Sequence, residues 1–175
     1  VNARLWWLVG GFAVVAAAFV YSRTQAGSES VSTLLGETMN TISNTVRGIR
    51  NNNPTNMMDA GIHWEGMIGT DADGFLRFDT MVNGIRAAAK DLANMSQLHG
   101  IDTVDAAIRR WSKTDQDAYV ANVSAALNVD PHDAIDLTDD NTRQIIIRAM
   151  TVQENGAIAA ALIPDSIIVQ GVSLA

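Results

Sequence analysis

Four glutamates, Glu29, Glu37, Glu65 and Glu154, are the side chains in this sequence best suited to donate a proton to a leaving oxygen. A glutamic acid does that work when partial burial lifts its pKa toward neutrality. Glu29 lies in a glycine- and serine-containing hinge. Glu37 falls on an amphipathic stretch ten residues before Arg47, where a solvated helix face is the competing reading. Glu65 stands beside Trp64 at the start of an expected hairpin. Glu154 ends a patterned helix immediately before Asn155-Gly156 and is the preferred candidate for a general acid. A purely structural Glu154 would be awkward, because a carboxylate at a helix C-terminus faces the negative end of the dipole. Asp79, with Asp71 and Asp73 at the hairpin tip, could supply a second carboxylate.

The segment Arg47-Gly48-Ile49-Arg50-Asn51-Asn52-Asn53-Pro54-Thr55-Asn56-Met57 offers another kind of chemistry. Asparagines tolerate left-handed backbone and carry both donors and an acceptor, a combination suited to sugar hydroxyls and N-acetyl groups. Asn51, Asn52, Asn53 and Asn56 are therefore candidate glycan contacts, with Trp64 as a stacking surface and Asp79 beside it. The alternatives are a tight turn at Asn53-Pro54 and a Trp64 that lids the core. Trp111 shares helical spacing with Ile108 and Val104 and reads as core.

Metal and cofactor chemistry find little support. His63, His99 and His132 are too scattered for a helical ligand pair, and there is no cysteine. Around Asp73-Gly74 a calcium loop would need ligands at Gly69 and Thr80, which fails the EF-hand pattern. No phosphate-cradling glycine loop or nucleophilic serine motif is present, and no cofactor is expected.

The Arg-Gly-Ile-Arg-Asn-Asn-Asn-Pro run, followed by His63-Trp64-Glu65-Gly66-Met67, Gly74-Phe75-Leu76-Arg77-Phe78-Asp79-Thr80 and Gly84-Ile85-Arg86-Ala87, resembles a family of phage virion proteins and cell-wall hydrolases. The resemblance runs from about Arg47 to about Gly171. More distantly, an Asn-Asn-Pro loop followed by a Trp-x-Gly hairpin is similar to a lobe of glucosaminidase and lysozyme-like enzymes. Glu154-Asn155-Gly156 resembles that family's Glu-Asn-Gly motif, which implies an acid that follows the hairpin rather than preceding it. At Glu65 the family often has glutamine. The resemblance further implies that a lytic transglycosylase could act with one acid and the substrate's own N-acetyl group. Thr55 stands where the family usually has glycine; a positive φ there would strain a β-branched residue.

The elements that must position these residues follow from the pattern. Leu5 to Ser22 is an uncharged run bracketed by Arg4 and Arg23. Eighteen residues give roughly 27 Å of helix, close to the hydrocarbon thickness of about 30 Å. Trp6, Trp7 and Tyr21 would lie near the headgroups. The run exceeds a secretory h-region of about 7–15 residues, so residues 1–23 read as a retained anchor, with cleavage near Ala26-Gly27 the alternative. Residues 24–46 read as hinge and amphipathic stalk, with Val31, Leu34, Leu35, Ile42 and Val46 at helical spacing. The stalk would gain stability from membrane, domain or a neighbouring subunit.

Residues 47–175 read as one mainly α domain with a small β-hairpin, lysozyme-like in shape. The hairpin lies between Ile62 and Asp79. Helices are expected from Val82 to Leu98, after an Asp102 or Thr103 cap, after Asp115, after a Thr138 cap, and from Pro164 to Gln170. Beyond Arg23 the chain has ten basic and nineteen acidic residues, a net charge of −9. Such a body repels nucleic-acid phosphate, so nucleic acid is not an expected partner. The expectation is a membrane-anchored virion protein that opens peptidoglycan locally during genome entry or release. Its partners would be peptidoglycan, a bilayer through residues 5–22, and other virion proteins or further copies through the stalk. The alternative is a non-catalytic component linking membrane to capsid or vertex.

Overall fold

The computed structural model describes residues 25–175, with side chains from residue 31 onward. The expected anchor lies outside the described residues; among those described, no helix is long and apolar enough to cross a membrane. The chain divides into two units, Val1–Thr45 and Val46–Ala175.

The described part of the first unit is a single helix, α1 (Gln25–Thr45). Its threonines return hydrogen bonds to their own backbone: Thr38, Thr41 and Thr45 hydroxyls donate to the carbonyls of Leu34, Glu37 and Thr41 at 2.7–2.8 Å. Polar β-branched residues are thereby accommodated in a helix they would otherwise weaken.

The second unit is mainly helical with one two-stranded antiparallel sheet. A single turn, α2 (Arg47–Arg50), leads into the asparagine loop, and β1 (Met67–Thr70) pairs with β2 (Leu76–Phe78). Met67 faces Phe78 and Gly69 faces Arg77, so Ile68 is an extra residue that bulges the strand. Helices α3 (Met81–His99), α4 (Val104–Trp111), α5 (Gln116–Leu127), α6 (Asp140–Asn155), α7 (Ala157–Ala160) and α8 (Asp165–Ser173) follow.

The cap chemistry explains where these helices start. Thr80 and Thr103 accept from the amides of Asn83 and Ala106, and Asp139 accepts from Thr142. Asp139, not Thr138, therefore caps α6; the Thr138 amide and hydroxyl donate to Asp136 instead. Asp115 stands at the N-cap of α5 in a left-handed conformation without a side-chain cap bond. Pro164 precedes α8 rather than opening it.

One apolar core joins the helices to the sheet. Ile85, Ala88, Leu92 and Met95 recur every three or four residues on the buried face of α3. They meet Ile146, Ile147 and Met150 of α6 and Ile168 and Val172 of α8, while Leu76 and Phe78 bring the hairpin onto the same cluster. Arg148 fastens the last turns, donating to the carbonyls of Ala160 (3.0 Å) and Ile163 (2.8 Å) and pairing with Asp165. Trp111 packs against this core as expected.

Candidate functional site

The asparagine loop is built from the inside. Asn53 has 0% exposure. Its amide donates to the carbonyls of Met57 (2.8 Å) and Leu76 (2.9 Å), and its oxygen accepts from the Met57 amide (2.9 Å). Asn51, also buried, donates to Asp71 at 2.8 Å. Asn52 adopts φ 50° and donates to the carbonyls of Phe78 and Asp79. These three side chains, expected to meet a glycan, are instead spent holding the loop to the hairpin. The physical reason is demand: an irregular loop packed against a two-stranded sheet leaves buried backbone carbonyls, and an amide is the donor that satisfies them.

Close approach completes the arrangement. A Cβ on Gly84 would stand 1.8 Å from the Asn52 carbonyl oxygen, and one on Gly48 would stand 2.1 Å from Asn155 Oδ1. Thr55 is fully buried and is not among the residues at positive φ, so the expected strain is absent there. Asn52 and Asn56, both at φ 50°, take the left-handed positions, which asparagine tolerates.

The arginines of the same segment hold the hairpin tip. Arg47 pairs with Asp73 at 2.5 Å, approaches Asp71 at 3.6 Å and lies 4.1 Å above the Phe75 ring; Arg50 is 3.9 Å from Asp71. Asp71 also accepts from the amides of Asp73 and Phe75, each at 3.0 Å. Burial raises the Asp71 pKa, but the Asn51 amide, those two backbone amides and the Arg47 charge outweigh it, and the net shift is downward. Asp71 and Asp73 thus shape a turn.

Glu154 sits at the seam between this loop and the helices. Its Oε2 accepts from Asn56 Nδ2 at 3.0 Å, and the residue is half-buried. The neighbouring Asn155 donates to the carbonyls of Pro54 (2.6 Å) and Thr151 (2.9 Å), so the end of α6 is laced to the loop at two successive residues. Gly156 has φ 76° and ψ 157°, so the helix turns directly into α7 without a left-handed αL cap. Trp111 closes the loop from another side, its ring N–H donating to the Thr55 carbonyl at 3.3 Å.

Tyr119 of α5 brings a second ionisable group to the seam. Its phenol is raised far above the ordinary value, first by burial and then by the Glu154 charge and hydroxyl–carboxylate contact. The contact falls short of good hydrogen-bond geometry, leaving the hydroxyl without a formed partner. Tyr119 is therefore a buried, neutral phenol near Glu154. Two further buried oxygens of the loop, Thr55 Oγ1 and Asn56 Oδ1, also make no hydrogen bond within the described residues.

The remaining candidates lie elsewhere. Glu65 is exposed, its side chain 70% accessible, and pairs with Arg86 at 2.5 Å. Glu37 is exposed on α1. Trp64 belongs to the core rather than to an open stacking surface: only 9% exposed, it joins Met57, Leu76 and Phe78 in the buried apolar cluster. Asp79 accepts from Asn83 (2.8 Å) and Thr80 (3.2 Å), which hold its pKa down, and it braces the entry to α3. Of the sequence candidates, the fold brings Asn51 onto Asp71, Asn52 onto the Asp79 carbonyl and Asn56 onto Glu154, the preferred acid. Tyr119 was not singled out by sequence, since among Val120 and Val123 it reads as another core residue.

These features define a mainly helical domain in which an asparagine loop locks a small hairpin to the end of a helix and meets a half-buried glutamate there. No protein-family model matches the chain. The chain is 33% identical over 123 residues to Protein P5 of Pseudoalteromonas phage PM2, an alignment covering 66% of this chain and 75% of P5. It belongs to the family of that bacteriophage protein.

Proposed function

We propose that this chain is a phage virion protein, tethered to a membrane through residues 5–22, whose domain cleaves the glycan strand of peptidoglycan locally during genome entry or release. Kinship with a phage protein supports the viral setting. The observation that carries the catalytic reading is the seating of Glu154: half-buried, oriented by Asn56 at 3.0 Å and faced by the neutral phenol of Tyr119. Glu65 and Glu37, by contrast, are exposed.

In this reading Glu154 in its acid form protonates the glycosidic oxygen as the bond to the anomeric carbon breaks. Asn56 fixes the carboxyl orientation, and Tyr119 stays protonated because ionising a phenol in a buried position is costly. No second carboxylate adjoins Glu154 among the described residues, so the substrate's N-acetyl oxygen would bond to the anomeric carbon as the protonated leaving oxygen departs, and the C6 hydroxyl would then displace it, giving its proton back to Glu154 and closing the 1,6-anhydro ring. Incubating the full chain with purified peptidoglycan and analysing the supernatant by mass spectrometry tests this. Soluble muropeptides with 1,6-anhydro ends are expected for a transglycosylase, and no released fragment at any pH between 4 and 9 would refute cleavage.

A second reading has a specific observation in its favour. Asn51, Asn52, Asn53 and Trp64 are all turned to internal structure. A signature that builds the fold serves a non-catalytic virion component as well as an enzyme. Such a component would link the membrane to other virion proteins, and it would leave peptidoglycan intact while still assembling into particles.

A further inference from the structure

We propose that α1 binds further copies of itself as a parallel coiled coil. Val31, Leu35, Thr38, Ile42 and Thr45 follow one another at intervals of four, three, four and three residues, the spacing of alternating d and a positions. Leu34 and Met39 flank that seam at g and e. Leu34 is 61%, Leu35 43% and Met39 50% exposed, with Val31 and Ile42 partly covered, so the seam and its flanks present large apolar groups to solvent within one chain.

Two observations select a second copy as the occupant. The first is charge. From residue 31 to 45 no a, d, e or g position is charged, and Glu37, the one charged residue in that span, falls at c on the opposite side. Identical helices therefore bring no like charges together across a symmetric interface, whereas an acidic or basic partner would find nothing to pair with. The second is the state of the threonines. At d, the Thr38 and Thr45 hydroxyls are already bonded to the carbonyls of Leu34 and Thr41, at 2.8 and 2.7 Å. Their polar requirement is met inside the helix, and what remains for a neighbour is a methyl group. Glycine at 36, with nothing within 4 Å of its Cβ position, falls at b, outside the contact.

The chain's lack of cysteine makes the test direct. Leu35→Cys and Ile42→Cys (both at a) and Asn40→Cys (at f) would each be introduced into the full chain in non-ionic detergent, with micelles in excess over protein, and oxidised mildly. The proposal expects disulfide-linked pairs at Leu35→Cys and Ile42→Cys at several-fold the yield of Asn40→Cys. It also expects a sedimentation mass for the unsubstituted chain that is a multiple of one copy. A monomeric mass, or equal linking at all three sites, would overturn it. So would protection of both a-position thiols by phosphatidylglycerol vesicles without linking, which would assign the helix to a lipid surface.

Discussion

Replacing Asn53 by alanine should destabilise the domain far more than replacing any other asparagine of the loop. The side chain makes three hydrogen bonds at zero exposure, to Met57 O, Leu76 O and Met57 N. Net contributions of about 1 kcal/mol each, plus about 1–2 kcal/mol for buried partners left unsatisfied, give a loss of about 4–5 kcal/mol. Met57 O keeps one partner, the Leu76 amide at 2.9 Å, which holds the total toward the lower half of that span. Asn53→Asp separates polarity from shape: it retains the acceptor, loses both donors and buries a charge, so its cost should be at least as large. Urea unfolding of the full chain followed by tryptophan fluorescence measures both variants. A loss within about 1 kcal/mol of the parent for Asn53→Ala would refute the claim that this amide anchors the loop.

Further expectations concern glycine, pH and the seam. Gly84→Ala places a methyl 1.8 Å from a backbone oxygen and should cost at least about 3 kcal/mol in the same assay, whereas Gly36→Ala, with open space around it, should raise α1 helicity measured by circular dichroism. Asp71 has a lowered folded pKa, so its stabilising contribution is complete above the unfolded value near 3.9 and is lost as pH falls through the lower folded one. Asp71→Asn should flatten the acid limb of stability below about pH 4. Asp91 has the opposite sign: burial raises its pKa against Arg110 and His99, so ionisation costs stability as pH rises above about 4, and Asp91→Asn should gain stability at pH 7. A double-mutant cycle of Asn56→Ala and Glu154→Gln should return a coupling of about 1.5–3 kcal/mol if the 3.0 Å contact involves the charged carboxylate.

Periodicity located the helices because their buried faces repeat cleanly, as Ile85, Ala88, Leu92 and Met95 do. Caps were legible where a side chain could reach an amide, as at Thr103, and less so at Asp139, where two polar residues in succession competed for the role. What sequence could not reveal was direction. Three consecutive asparagines before a proline announce an unusual loop, but only contact with the hairpin, 23 to 27 residues away, turns Asn52 and Asn53 inward. Trp64 poses the same ambiguity, since a ring on a glycine-rich hairpin suits a sugar and a core equally well; packing decides for the core. Glu154 stands out from its place at a helix end, while its partner Asn56 and its neighbour Tyr119 lie 98 and 35 residues away and have no local signature.

The central claim is that Glu154 acts as the acid in glycan cleavage, and one comparison tests it. The full chain and its Glu154→Gln variant, both checked for native circular dichroism, would be assayed side by side on purified peptidoglycan with mass-spectrometric detection of soluble fragments. Release by the parent is expected, with a loss of at least about a hundredfold in the folded variant, the scale of a missing general acid. Equal release by the two proteins would contradict it.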